Sequence, residues 1–271
     1  MEKPLISVIM GVYNPPSYNV LKRAIDSVLN QTYENIEFII CDDGSNVETK
    51  QWLDEIVQTD QRIKCIDNSA NIGLAATLNR CIQISKGKYI ARQDADDYSD
   101  KTRFDKQIDF LEKNPQYAFV GTNIYYFSEK GVWGHFMYPQ FPQEKDFLWM
   151  SPFCHGSIMF QKETLQKTKL YRVAKETLRC EDYDLFMRMY INGFRGANIC
   201  EYLYFFCEDE AAIQRRKMSD RMDEVKVKVR YFGKLGLYPK GIMYLIKPLV
   251  VGLIPSKCLS QLKNIIYKRT C

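Results

Sequence analysis

The 271-residue chain has no Cys-x-x-Cys pair, no Cys/His cluster, no internal repeat and no low-complexity stretch. The missing pairs and clusters exclude a sequence-local zinc finger or dithiol motif. Nine cysteines are present, but they stand singly at 41, 65, 81, 154, 180, 200, 207, 258 and 271, several inside apolar runs. That usage suits small core side chains in a reducing compartment better than a disulfide framework. Uninterrupted apolar length is also lacking. The longest run, Gly241 to Pro255, is broken by Lys247-Pro248 and falls short of the roughly 20 residues a bilayer-spanning helix needs. The opening Met1-Glu2-Lys3-Pro4 and the short apolar stretch to Gly11 do not read as a secretory leader. The expectation is a cytoplasmic protein.

A composition of 46% hydrophobic and 26% charged residues suits a globular chain with a sizeable core and excludes disordered and fibrous classes. The net charge of +5 is unevenly spread. Residues 211–271 hold fourteen Lys/Arg against three Asp/Glu, whereas residues 1–210 hold twenty-four against thirty. The sequence therefore divides into a mildly acidic body, 1–210, and a basic, partly apolar helical tail, 211–271, whose charge calls for an anionic partner.

The first hundred residues alternate short apolar runs with helical patterns. Leu5–Val12, Ile36–Cys41, Ile63–Ile66 and Lys88–Ala91 read as strands; Val20–Leu29, Lys50–Val57 and Leu74–Ile84 read as helices. This alternation predicts an α/β fold, a doubly wound, mostly parallel sheet flanked by helices. Further on, Arg103–Lys113 and Asp182–Tyr190 read as helices, and Ala118–Phe127, Ser157–Phe160 and Tyr202–Cys207 as strands. Ligands of such sheets sit beyond the carboxyl ends of the strands. The segments found there are Tyr13-Asn14-Pro15, Asp42-Asp43-Gly44-Ser45, Asn68 to Gly73, and Asp94-Ala95-Asp96-Asp97.

Three carboxylates within four positions repel one another unless a cation or donor groups offset the charge. Their hard oxygens suit Mg2+ or Mn2+, which keep open positions for water and substrate phosphates. An acidic solvated turn would have the same composition. Asp42-Asp43-Gly44-Ser45 can present a carboxylate to a base or ribose, or be an ordinary turn with Ser45 capping the next helix. The Asn68–Leu74 stretch opens a helix whose amides could meet a phosphate or sugar.

Five blocks then stand in a recognisable order: Pro4–Asn14, Ser27–Tyr33, Cys41–Ser45, Asn71–Leu74 and Ile90–Asp97. Together with Cys154–Phe160 and Glu181–Arg188, they resemble the inverting family-2 glycosyltransferases of the GT-A fold over roughly residues 4–210. The resemblance implies a UDP-sugar donor and Mn2+ or Mg2+. It makes Asp43, with Asp42 beside it, the reader of the uracil N–H, and Tyr13 part of the base pocket. Asp94 is similar to the first acid of a DxD motif, facing ribose or sugar; Asp96 is similar to its metal-binding acid, and Arg92 supports the donor. Asp182 resembles the catalytic base of inverting members, and the same blocks set Glu181 and His155 on the acceptor side. Taken alone, Asp182 reads first as a helix N-terminal acid and His155 as a buried structural histidine.

Two departures bear on function. Many relatives carry a histidine after the late strand; here the stretch is Phe206-Cys207-Glu208-Asp209-Glu210, so either Asp209 replaces the imidazole as a metal ligand or the third protein ligand is absent. The Gln-x-x-Arg-Trp motif of processive synthases is missing, which favours single additions. The expected reaction is sugar transfer to a hydroxyl of a glycan or lipid-linked acceptor in bacterial surface polysaccharide synthesis. A sugar-phosphate nucleotidyltransferase should show a Gly-rich basic loop after the first strand, and Gly11–Pro16 is not one. A non-catalytic nucleotide-binding scaffold of the same fold stays open. The tail lacks a nucleic-acid motif and couples its cations to apolar bulk, so an anionic membrane surface fits it better than nucleic acid. Packing of the tail on the body is the alternative.

Overall fold

The computed structural model describes residues 3–208, 217–255 and 258–259. The predicted boundary at 210 lies outside them, as do Asp209 and most of the last sixteen residues.

Strands β1 (Ile6–Val12), β2 (Ile36–Asp42), β3 (Ile63–Asp67) and β4 (Tyr89–Arg92) pair in parallel, with β1 between β2 and β4 and β3 outside β2. Alternation of side chains along β1 sends Ile6, Val8, Met10 and Val12 to one face and Ile9 to the other. Both faces are covered, which is why the strand reads as a continuous apolar run. Helix α1 (Tyr18–Leu29) covers the first face through Leu21, Ala24, Ile25 and Val28, spaced as one helical stripe. Helix α3 (Leu74–Ile84) covers the second through Leu78, Cys81 and Ile82. Helix α2 (Val47–Val57) is capped by Asn46, whose side chain accepts from the Thr49 amide at 2.9 Å, so the cap falls one residue after Ser45.

Beyond β4 the sheet changes direction. Its order is β3-β2-β1-β4-β8-β6-β9-β5, with β7 (Gly131–Phe136) paired to β6. Strand β8 (Met159–Gln161) runs antiparallel between β4 and β6 (Tyr117–Ser128), and β9 (Arg195–Cys207) is parallel to β6. The two-residue β5 (Tyr98–Ser99) closes on β9. Helix α4 (Arg103–Lys113) packs against β6, and the short α5 (Lys162–Lys167) follows β8.

Helix α6 (Glu181–Ile191) is joined to the C-terminal helices by one carboxylate. Asp184 is fully buried and accepts from Arg172 Nε at 2.8 Å, Arg188 Nε at 2.7 Å and the Tyr231 hydroxyl at 2.8 Å. Arg188 also donates to the carbonyls of Thr168 and Leu170 across a turn in which Lys169 and Leu170 are left-handed. Tyr231 belongs to α7 (Met218–Phe232), and Val227, Tyr231 and Phe232 share the core cluster of Phe119 and Phe186. Helix α8 (Gly241–Leu253) lies on α7, where Gly252 approaches Arg221 and Met218. Within the helical tail expected over 211–271, the described residues form these two helices, and α7 packs on the body. No helix among the described residues is long and apolar enough to cross a membrane.

Removing one partner of a buried ion pair leaves the other charges uncompensated. Asp184→Ala should therefore lower stability by about 3–5 kcal/mol in urea unfolding. A loss of no more than about 1 kcal/mol, the size of a surface pair, would show that Arg172 and Arg188 do not depend on it.

Candidate active site

Strands β1, β2 and β4 deliver their polar ends to one edge. Asn14 takes a left-handed conformation (φ 45°) after β1; its amide donates to Ser45 Oγ at 3.1 Å and its side chain accepts from the Asn46 amide at 2.9 Å. The turns after β1 and β2 are thereby laced together. Asp42 is buried and accepts from the Ser45 amide at 3.1 Å, inside that turn. Asp43 points the other way. Its oxygens accept from the amides of Ile72 at 2.9 Å and Gly73 at 3.0 Å and from Asn68 Nδ2 at 2.8 Å. Gly44 (φ 73°) permits this close approach, since a Cβ there would stand 2.7 Å from the Asn71 nitrogen. A carboxylate has about four acceptor sites, so three donors leave Asp43 capacity for one more.

Asp43 lines a cavity of about 530 Å³ whose wall also includes exposed Tyr13, Gly73, Arg179, Glu181 and Lys217. Tyr13 and Asp43 are thus brought together, whereas Asp42 is not part of the lining.

The acidic turn after β4 rests on two fully buried arginines. Arg92 donates to Asp94 Oδ1 at 2.5 Å and to the Gln93 carbonyl at 2.5 Å. Arg103, from α4, donates to the Arg92 carbonyl at 2.6 Å, Ser99 Oγ at 2.6 Å, and Gln93 Oε1 and Gln107 Oε1 at 3.1 Å each. Gln107 in turn donates to the carbonyls of Val120 and Ser157. This polar lattice ties β4, β6 and the 3-10 turn His155–Ser157 into one unit. Asp94 is partly exposed; its amide donates to the Tyr204 hydroxyl at 3.2 Å. Gly156 lets strand and turn close on each other, because a Cβ there would stand 2.7 Å from Asp94 Oδ2 and strike Tyr204.

Asp97 is buried and accepts from the Cys207 amide at 2.6 Å, fastening the acidic turn to the end of β9. Burial, followed by the charges of Asp96 and Asp94, pushes its carboxyl well above the usual range. Asp96 is partly exposed.

Glu181 and Asp182 open α6, and they divide between two spaces. Glu181, expected on the acceptor side with His155, instead lines the first cavity with Tyr13 and Asp43. Asp182 lines a second, of about 420 Å³, with His155, Cys180, Trp149, Glu208 and Lys247. Arg179, left-handed at φ 64°, borders both. Burial first, and then the charge of Asp182, raise the Glu181 carboxyl to about 7. His155 Nε2 lies 2.7 Å from the Tyr171 hydroxyl, and burial, reinforced by Arg92, holds its imidazole well below the usual range. His155 is thus neutral, both a packed residue and a wall of the second cavity.

Among the described residues no three His, Cys, Asp or Glu side chains gather as a metal cage. The donor set that is present, Asp94 and Asp96 at a partly exposed turn, fits a hard cation completed by water and substrate phosphate. Asp209 lies outside the described residues.

The sequence profile described as Glycosyl transferase family 2 matches residues 7–170. The putative glycosyltransferase EpsE of Bacillus subtilis is 39% identical over 95% of this chain and 92% of its own. The chain belongs to glycosyltransferase family 2. A further relative, the UDP-Glc:α-D-GlcNAc-diphosphoundecaprenol β-1,3-glucosyltransferase WfaP of Escherichia coli, is 32% identical over 72% of this chain and 73% of its own. The fold is the GT-A fold. Residues 1–349 of S. aureus TarS in complex with UDP-GlcNAc superpose with a TM-score of 0.70 at 16% identity, covering 89% of this chain and 72% of that fragment. The mannosyltransferase PcManGT of Pyrobaculum calidifontis, with GDP-Man and Mn2+, gives 0.63 at 16% identity, covering 98% and 81%.

Sequence reading did not single out Arg103, Tyr204, Tyr171 or Arg179. The first three sit in patterns that read as helix or core, and their contacts are long-range. Arg179 precedes the Glu-Asp pair, which is the one local signal that could have marked it.

The raised Glu181 carboxyl has a consequence for stability. Between the ordinary value of 4.5 and about 7 the folded chain keeps a proton that the unfolded chain releases, so this residue's contribution falls as pH rises through that window. Glu181→Gln should remove that component. Urea unfolding of both proteins at about pH 5 and about pH 8 should show a smaller decline for the variant; identical declines would remove Glu181 as its source.

Proposed function

We propose that this family-2 enzyme transfers a sugar, with inversion, from a UDP-sugar to a hydroxyl of a glycan or lipid-linked saccharide in bacterial surface polysaccharide synthesis. The observation that carries the reading is the division at the start of α6: Glu181 faces the cavity of Tyr13 and Asp43, and Asp182 the cavity of His155. An inverting transfer needs a donor on one side of the reacting carbon and a base on the other, and adjacent residues facing two spaces supply that separation.

In this reading Tyr13 and Asp43 hold the uracil end in the first cavity, while Arg92 orients Asp94 toward ribose or sugar. The acceptor enters the second cavity past His155. Its hydroxyl gives its proton to the Asp182 carboxylate as the oxygen bonds the anomeric carbon; the bond to the diphosphate breaks, and its electron pair departs with UDP. Mg2+ or Mn2+, when bound, offsets the charge of that diphosphate as a Lewis acid, and Asp96, beside Asp94, is the residue to hold it. The UDP and polysaccharide assignments draw support from the UDP-GlcNAc complex of TarS and from WfaP, and the metal from the Mn2+ complex of PcManGT. The enzyme works in the cytoplasm, on the inner face of the plasma membrane.

Calorimetry should find UDP binding that requires Mn2+ or Mg2+ and is lost in Asp96→Ala; unchanged affinity in the variant or in chelator would refute the metal assignment. Asp182→Asn should bind UDP normally yet transfer sugar about 10²–10⁴-fold more slowly, the range for loss of a general base. Turnover close to that of the parent would move the base elsewhere.

A further inference from the structure

Helix α8 presents an apolar face that stands exposed among the described residues. Met243 is 79% exposed, Leu253 78%, Ile246 57%, Ile242 56% and Val250 52%. At 3.6 residues per turn these five fall within about 100° of arc, one continuous stripe. The opposite side is docked: Gly241 and Pro248 are buried, and Lys228 Nζ donates to the Tyr244 carbonyl at 3.4 Å. In sequence, the segment from Gly233 to Cys271 that carries the stripe holds seven Lys/Arg and no Asp or Glu. Lys234 and Lys240 stand exposed beside the start of α8.

The same helix forms a rim of the second cavity. Lys247 Nζ lies 4.2 Å from the centre of the Trp149 ring and donates to the Trp149 carbonyl at 2.5 Å. Both residues line the cavity that holds Asp182, and Trp149 is 57% exposed.

We infer that α8 lies in the headgroup region of an anionic bilayer, with its Ile242–Met243–Ile246–Val250–Leu253 stripe in contact with lipid, so that the Asp182 cavity opens at the membrane surface. The lipid is favoured over a second copy of the chain by charge: a self-contact would set this acid-free segment against itself, whereas anionic headgroups neutralise it. Resting on the assignment of the second cavity to the acceptor, this makes the acceptor a saccharide carried on a membrane lipid, which reaches Asp182 along the α8 rim.

The test uses the full chain and vesicles of phosphatidylcholine containing phosphatidylglycerol at about one part in three. The parent should sediment with them, and Met243→Glu/Ile246→Glu should lower the bound fraction about tenfold, since a charge on the inserted face opposes entry. Both changes are at exposed positions outside either cavity, so melting and UDP binding should stay as in the parent. Trp149 fluorescence should be quenched by brominated lipid in the same vesicles, with Trp149→Phe as the reference. Three results would each overturn the inference: a parent that stays in the supernatant, a variant that sediments equally, or a variant that changes only its self-association in gel filtration. Sedimentation without Trp149 quenching would overturn the placement of the cavity at the lipid surface. Vesicle binding is read without sugar transfer, so its failure leaves the donor and base assignments standing, and their failure leaves it standing.

Discussion

Holding several carboxylates together at the end of one strand is the constraint around which this site is built. Like charges at that spacing raise each other's proton affinity, and burial adds to the effect. The chain answers with three different devices. Arg92, fully buried, pairs with Asp94; burial keeps the Asp97 carboxyl toward its neutral form and lets it accept from the Cys207 amide; Asp96 stays partly exposed. The cost is a second buried cation. Arg103 finds only neutral acceptors, and burial draws its guanidinium down to about 10, still charged at neutral pH. Those acceptors come from β4, β5, α4 and, through the Gly156 carbonyl at 3.5 Å, the turn before β8, so the charge balance of the acidic turn and the folding of the second half of the sheet are one problem.

The parallel half of the fold was legible because its signals are local. Alternating side chains on β1 and β2 must be apolar on both faces, and the covering helices show a 3.6-residue period, so strands and helices could be placed to within a few residues. The α3 bounds, Leu74–Ile84, agree with expectation at both ends. The antiparallel half was less legible. Strand β7 contains Gly131 and Gly134 and is half-exposed, and β5 is two residues long; neither makes a period. The joining of the tail to the body through Asp184 and Tyr231 spans 47 residues, and no sequence window contains it.

The site shows the same division. The strand-end acids could be found from their position beyond predicted strands, and Tyr13 and Asp43 do share a cavity. What each acid does locally was not readable, because it depends on donors from elsewhere. Asp42 serves its own turn, whereas Asp43 secures the Asn71–Gly73 loop that walls the first cavity. Adjacent identical residues thus act differently because successive side chains leave a strand end on opposite sides.

Helix geometry makes the corresponding division at α6. Residues one apart on a helix are separated by about 100° and do not face each other, so Glu181 and Asp182 look into different spaces while sharing one helix N-terminus. Their charges still interact: Asp182 is the second cause of the raised Glu181 carboxyl. Because Glu181 holds its proton more readily, less negative charge builds up in the first cavity beside Asp43, which suits the diphosphate donor proposed for that cavity. In the proposed reaction, a neighbour that holds its proton more readily and an acid on the far side are complementary demands, and the left-handed Arg179 immediately before them places a cation at the seam where both cavities meet.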